Sequence, residues 1–326
     1  MTTPIRWGVI GCGDVVEHKS GPALQQAAGS ELVVVMRRDG AKAADFARRH
    51  GIARWYDDAD KLLADPDVNA VYIATPPDSH AELTLRAAWA GKRVLVEKPM
   101  ARTVTECETM IAGCRAAVVP LHVAYYRRFY PRFQRAKQLI DEGLLGRLVS
   151  VTLQMAKPTP ARLSEEIPWR LRPEVSGGGL FVDTGSHRLD MIHFLAGDMI
   201  DVHGFASHLG YRALAEDSVA LTFRIAHSKA LGTVACHFEV SPLRRDRLEI
   251  VGTDGVLLFD SFDDDFFTLQ RRDGMVETFT RPNPEPQHLP FVEALIRVYN
   301  GDPMAHVTGE EGLKTNRVLA QILGTF

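Results

Sequence analysis

Three side chains in this sequence have the right types to move a proton. Lys98 closes an apolar run in RVLVEKPM (93–100), and Asp183 and His187 lie in GGGLFVDTGSHRLD (177–190). Val94, Leu95 and Val96 read as a short buried strand. A Glu-Lys pair at such a strand end is usually just solvated, and Pro99 stops the ladder. Asp183 and His187 are spaced i, i+4, so on a helix both project from one face. Asp190 lies i, i+3 from His187, placed to orient it or to cap a local network. A histidine of this kind is more often structural than catalytic. The alternative chemistry is acid–base work: a group near neutral pKa accepts a hydroxyl proton as hydride leaves the carbon. On these residues alone both readings stay open.

The elements around them narrow the choice. Ile5–Ile10 is strand-like, and GVIGCGDVVEHKSGPAL opens the first strand-to-helix unit. Gly11 permits a tight turn there, and Gly13 lets the backbone come close to a pyrophosphate at the helix N-terminus. The third glycine of the dinucleotide fingerprint is replaced by Val16, so the motif is weak without its context. That context is present. Strand signals at Glu31–Met36, Ala70–Ala74, Arg93–Val96 and Pro120–Ala124 alternate with helical ones at Pro22–Ala28, Ala41–His50, Asp57–Ala64, Ser79–Ala90 and Thr103–Ala117. Such alternation predicts a parallel sheet. ATPPDSH (74–80) follows the Ala70–Ala74 strand, with Thr75-Pro76-Pro77 a rigid turn at the ligand-binding edge and Ser79 a candidate N-cap.

Beyond residue 125 the rhythm changes. A helix at Pro131–Glu142, a strand at Leu148–Met155 and a helix at Asp183–Ala196 precede successive strands from Asp201 to Leu269. Helices at Phe291–Tyr299 and Gly309–Leu323 close the chain. Strands in succession favour an antiparallel or mixed sheet. The expected class is α/β: a Rossmann dinucleotide-binding domain over 1–124, then an α+β domain with a large open sheet over 125–326, for substrate binding and oligomerisation.

The second strand speaks to cofactor identity. A NAD-selective fold places Asp or Glu near its end to bind the ribose 2′-hydroxyl. Here the segment reads VVVMRRDG, with Arg37 and Arg38 where a carboxylate is expected. Guanidinium groups pair bidentately with a 2′-phosphate. The sequence therefore favours NADP(H) over NAD(H). The competing reading leaves both arginines solvated and gives the ribose to Asp39.

With GVIGCG (8–13), ATPPDSH (74–80), VEKPM (96–100), GGGLFVDTGSHRLD (177–190) and GEEGLKTNRVLAQI (309–322), the chain resembles the Gfo/Idh/MocA oxidoreductases over nearly its whole length. The resemblance implies a Rossmann domain followed by a domain whose open sheet often forms subunit interfaces. It implies NAD(P)-linked oxidation or reduction of sugars, polyols or related cyclic compounds. It makes Lys98 the active-site lysine, and Asp183 and His187 the active-site carboxylate and acid/base. Lys98 then ends a parallel strand at the glycine-turn edge, where its ammonium can stabilise charge developing on the substrate oxygen. Val16 and Arg37 depart from the family's commonest pattern, and Arg37 puts NAD preference in doubt.

The resulting assignment gives the cofactor Gly11, Gly13, Asp14, Val15, Arg37, Arg38, Thr75, Pro76, His80, Glu97 and Lys98. It gives the substrate Lys98, Tyr126, Arg127, Trp169, Asp183 and His187. For Tyr126, Arg127 and Trp169, interface packing is an equal alternative. No metal site is expected: His187 and His193 lack i, i+4 spacing, and Asp263-Asp264-Asp265 lacks the alternating ligands of a calcium loop.

Composition sets further bounds. The 326 residues are 45% hydrophobic and 24% charged, with a net charge of −3, which gives no electrostatic case for nucleic acid or an anionic membrane. No apolar run of about 18 residues predicts a transmembrane helix. The start, MTTPIRWGVIGCG, lacks a secretory pattern, and four scattered cysteines suit a reducing compartment, so a cytoplasmic location is expected. The expected partners are a small-molecule substrate and further copies of the chain, as a homodimer or homotetramer. Two other functions use the same residues: a glycosidase that oxidises and reduces its substrate transiently on held NAD, and a nucleotide-sensing protein without turnover.

Overall fold

Ile5–Ile10 (β1) is apolar at nearly every position because both its faces are covered, with Trp7 and Val9 wholly buried. It lies at the centre of a six-stranded sheet in the computed structural model, which describes residues 4–158, 167–209, 215–238, 240, 243–302 and 307–325. The other strands are Ser30–Met36 (β2), Arg54–Tyr56 (β3), Ala70–Ile73 (β4), Arg93–Val96 (β5) and Leu121–Val123 (β6). Their order is β3-β2-β1-β4-β5-β6 and all pairs are parallel. The order reverses between β1 and β4, which opens a ligand crevice at their carboxyl ends. The sequence reading missed β3, whose three residues are too few to show a period.

The second sheet has eight strands: Leu148–Ala156 (β7), Met199–Ser207 (β8), Ser218–Ile225 (β9), Leu231–His237 (β10), Arg245–Gly252 (β11), Gly255–Phe259 (β12), Phe266–Arg271 (β13) and Val276–Thr280 (β14). The order is β14-β13-β12-β11-β7-β10-β9-β8, antiparallel except for β7 with β10. Along β9, Val219, Leu221, Phe223 and Ile225 are buried while Ala220, Thr222 and Arg224 are exposed. That alternation is the mark of a sheet with one face in a core and one in solvent.

The chain forms two compact units, Met1–Tyr126 with Pro284–Leu313, and Arg127–Asn283 with Lys314–Phe326. The sequence boundary near 125 gave everything after it to one domain, but Pro284–Leu313 belongs to the first unit. The helix Leu289–Tyr299 buries Phe291, Val292 and Leu295 there, and Tyr299 meets the Trp7 ring at 6.2 Å and His122 Nδ1 at 3.1 Å. An amphipathic helix announces that it needs a core, not which core it joins.

Candidate active site

The first turn of the parallel sheet is locked on two sides. Gly11 has φ +95°, and a Cβ there would lie 2.9 Å from the carbonyl of Ala74 at the end of β4. Its N–H donates to the Met36 carbonyl at the end of β2 (2.8 Å), and Gly13 N–H donates to Gly11 O (2.7 Å). Only glycine tolerates this φ and this approach. A Cβ at Gly13 would meet nothing closer than Gly11 O at 3.9 Å, which leaves that backbone open to an approaching group. These features fit a dinucleotide pyrophosphate.

Val16 takes the third fingerprint position and is fully buried, and from it the helix widens into a π turn over Val16–Ser20. A Cβ at Gly21, which follows, would lie 2.4 Å from Val16 O. That carbonyl lies in the preceding π turn and accepts from Gly21 N–H, so Gly21 fits the widened turn. Asp14 and Val15 open this helical stretch, with Asp14 exposed and 3.6 Å from His18.

At the end of β2, Arg37 Nη1 donates to the Cys12 carbonyl (3.3 Å), which holds the guanidinium beside the glycine turn. Arg38 is exposed. Asp39, the alternative ribose ligand, caps the helix Gly40–His50 by accepting from Lys42 N–H at 3.1 Å, and its other oxygen pairs with Lys42 Nζ at 3.1 Å. An open cleft here is lined by Cys12, Gly13, Asp14, Arg37, Lys42 and Arg49 among others. On its wall, Arg49 and His50 engage Glu17, and those bonds hold the Glu17 carboxyl down at about 2.

The His80 ring lies between the Thr75 loop and the Lys98 loop. Its Nδ1 faces the carbonyls of Pro99 (3.1 Å) and Met100 (3.2 Å), and its Nε2 faces Thr75 O (2.8 Å). The ring is wholly buried, and that burial lowers its pKa. A neutral ring carries one N–H, so it donates to only one of the two loops. Ser79 does not cap its helix: its hydroxyl turns back to Thr75 Oγ1 (2.7 Å) and Pro76 O (2.9 Å). Lys98 sits half-buried at the carboxyl end of β5, and the Lys98–Pro99 bond is cis.

Glu97, beside Lys98, is buried. Tyr72 Oη donates to it, its own Oε2 accepts from Lys98 N–H (3.1 Å), and His288 Nε2 lies 3.7 Å away. Burial pushes its carboxyl up, but His288, Lys98 and Tyr72 together outweigh that and hold it below the ordinary carboxylate range. Tyr126, expected at the substrate, is buried with its ring 3.9 Å from that of His288. His288 arrives beside both from a distant segment that sequence spacing does not connect to residues 97 or 126.

In the second unit the helix expected over Asp183–Ala196 begins as a π turn, Phe181–Gly185, and becomes α-helical at Ser186–Ala196. Asp183 is partly exposed, and its Oδ2 lies 3.5 Å from Arg170 Nε. The Arg170 guanidinium stacks over the Trp169 ring at 4.4 Å, so Trp169, Arg170 and Asp183 form one group. His187 is buried one turn further on. Asp190 is taken by Arg128 in a buried bidentate pair, Nε at 3.0 Å and Nη2 at 2.7 Å. Arg127, expected at the substrate, donates to the Phe262 carbonyl (2.6 Å) and to Asp263 Oδ1 (2.9 Å). It anchors a loop that lies well over a hundred residues along the chain.

Residues 5–125 match the model of an oxidoreductase family with an NAD-binding Rossmann fold, and residues 133–258 match the GFO/IDH/MocA C-terminal domain. Oxidoreductase P35 of Formosa agariphila is 33% identical over 100% of both chains. The chain belongs to the Gfo/Idh/MocA family. D-xylose 1-dehydrogenase [NADP(+)] of Haloarcula marismortui is 33% identical over 62% of this chain and 57% of its own. Among solved structures, levoglucosan dehydrogenase in complex with NADH and levoglucosan superposes with a TM-score of 0.88 at 23% identity, covering 99% of this chain and 97% of that one. As a Gfo/Idh/MocA protein, this chain is an NAD(P)-dependent oxidoreductase.

Three residues beside the candidate residues escaped the sequence reading. Tyr72 and His288 buttress Glu97, and Glu216 accepts from Gly179 N–H at 2.8 Å. Tyr72 stood in an apolar strand and His288 in a Pro-rich stretch, and neither carries a local signal. The GGG run gave a partial signal for Glu216: a Cβ at Gly178 would lie 3.1 Å from Glu216 Oε2.

Proposed function

We propose that the protein transfers hydride between NADP(H) and a hydroxyl or carbonyl of a sugar, cyclic polyol or related compound. The observation that carries this reading is the seat of Lys98. It follows β5 on the same sheet edge as the Gly11 turn, and the His80 ring lies between its loop and the Thr75 loop. A bound nicotinamide supplies or accepts the hydride. The Lys98 ammonium hydrogen-bonds the reacting oxygen and offsets the negative charge that develops on it. His187 takes the hydroxyl proton in the oxidative direction and returns it in the reductive one, and Asp183 holds the substrate's polar groups. Trp169, stacked under Arg170, offers an aromatic face of the kind that packs on sugar rings. Gly11, Gly13, Asp14 and Val15 bind the pyrophosphate, and Thr75 and Pro76 line the crevice beside it.

The preference for NADP(H) rests on Arg37 and Arg38. Arg37 is held beside Cys12, and Asp39, the carboxylate that follows the two arginines, is engaged with Lys42. Relatives carry both cofactors in their names, so the preference belongs to these residues rather than to the family. The open face of the second sheet exposes Phe205 and Leu231, which supports a homodimer or homotetramer built on that face.

Absorbance at 340 nm tests the reading. Aldoses, ketoses, inositols and glycosides are offered with NADP and NAD in parallel, in both directions. A sustained change with one sugar or polyol is expected, faster with NADP(H). Binding of NADPH with no turnover across the panel, or sugar release with no change at 340 nm, would overturn it.

A further inference from the structure

The glycine run before Asp183 encloses a buried carboxylate. Glu216, 9% exposed, accepts from Gly179 N–H at 2.8 Å and from Val182 N–H at 3.4 Å. The glycines are what admit it: a Cβ at Gly179 would lie 2.8 Å from Glu216 O and 3.3 Å from its carboxyl carbon. Gly179 is bound at both ends of its peptide, because its carbonyl accepts from Asp183 N–H at 3.0 Å. Glu216, Gly179 and Asp183 therefore form one continuous chain of hydrogen bonds. The carboxylate also sits at the start of the helical stretch that carries Asp183 and His187, where the first N–H groups have no partner within the helix. Burial lifts its carboxyl above the ordinary range while the Gly179, Val182 and Phe181 amides pull the other way.

We propose that Glu216 is a positioning residue for the reaction: it fixes the Gly177–Gly179 turn, and through Gly179 it sets where Asp183 and His187 stand. Glu216 touches neither substrate nor cofactor in this scheme. A carboxyl serves where an apolar residue would not, because only an acceptor satisfies the amides that the glycine turn leaves over. The inference rests on the acid–base reading of Asp183 and His187.

The test compares Glu216→Gln, which keeps an acceptor oxygen, with Glu216→Ala, which removes it. Asp183→Asn and His187→Asn are run beside them, using the panel sugar with the fastest 340 nm trace. Glu216→Ala is expected to lower kcat about tenfold or more and to raise sugar KM, from misplacement alone, while NADPH affinity stays within about twofold. Glu216→Gln is expected to recover most of that loss. Hydrogen–deuterium exchange without substrate should show faster exchange of the 177–187 peptide in Glu216→Ala and near wild-type exchange in Glu216→Gln. Wild-type kcat in both variants, or unchanged exchange in Glu216→Ala, would overturn the proposal. If Glu216→Ala does not fold, a Glu216→Gln protein with wild-type exchange and near wild-type kcat supports it, and one with a tenfold loss overturns it. Retained turnover in Asp183→Asn and His187→Asn sinks the acid–base reading instead, and the exchange comparison then decides the role of Glu216 alone.

Discussion

Gly11 and Ala74 occupy each other's space: a Cβ at Gly11 would lie 2.9 Å from both the carbonyl carbon and the carbonyl oxygen of Ala74. The two residues end β1 and β4, the strands between which the sheet order reverses. Neither loop can move toward the other. Gly11→Ala therefore strains the φ of +95° and pushes the Thr75 loop away. We expect a stability loss of about 1–3 kcal/mol and clearly weaker NADPH binding. Fluorescence titration of NADPH reads the second effect, and unaltered affinity would contradict the placement of the pyrophosphate.

Lys98→Ala should remove turnover by roughly 10²–10⁴-fold, the range of a positioned polar catalyst. NADPH affinity should stay near wild type, since Gly11, Gly13 and Arg37 remain. Steady-state rates with a parallel binding titration check this. Near-normal turnover would end the role assigned to Lys98.

Arg37→Asp should reverse the cofactor preference. Loss of a charge-assisted contact to the 2′-phosphate costs about 1.5–3 kcal/mol, or roughly 10- to 100-fold in NADPH affinity. NADH, without that phosphate, should change little. Equal losses for both nucleotides would mean that Arg37 matters only through its 3.3 Å bond to the Cys12 carbonyl.

Acid should weaken the first unit through Glu17. Arg49 and His50 hold its carboxyl at about 2, below its ordinary value of 4.5. A depressed carboxyl gives stability that is present above the unfolded pKa and is lost as pH falls through the folded one. The loss should run from about pH 4.5 down to about 2. Thermal melts across that range should fall less steeply for Glu17→Gln than for wild type. Parallel slopes would assign the acid sensitivity to other carboxylates.

Asp190→Ala should be among the most damaging single changes. It leaves the Arg128 guanidinium buried without the bidentate carboxylate at 2.7–3.0 Å. Breaking a buried pair from one side costs roughly 3–5 kcal/mol. Urea denaturation measures it, and a shift below about 1 kcal/mol would show that the pair is screened as a surface bridge is.

Much of this molecule was legible before any coordinates. The alternation of apolar strands with helices fixed the parallel sheet, because strands buried on both faces must be apolar throughout. Positions 11 and 13 were legible as tight turn and open backbone, since glycine torsions are properties of the residue itself. The motifs around Lys98, Asp183 and His187 marked those residues as candidates. What the sequence left open were the partners of each polar group. The neighbours of Glu97, His80, Tyr126 and Arg127 are Tyr72, Thr75, Pro99, His288, Phe262 and Asp263. Several of those partners lie far along the chain, and only folding brings them near. The return of Pro284–Leu313 to the first unit and the carboxylate of Glu216 inside the glycine turn were hidden for the same reason. Local pattern states what a residue needs, and tertiary packing decides which neighbour supplies it.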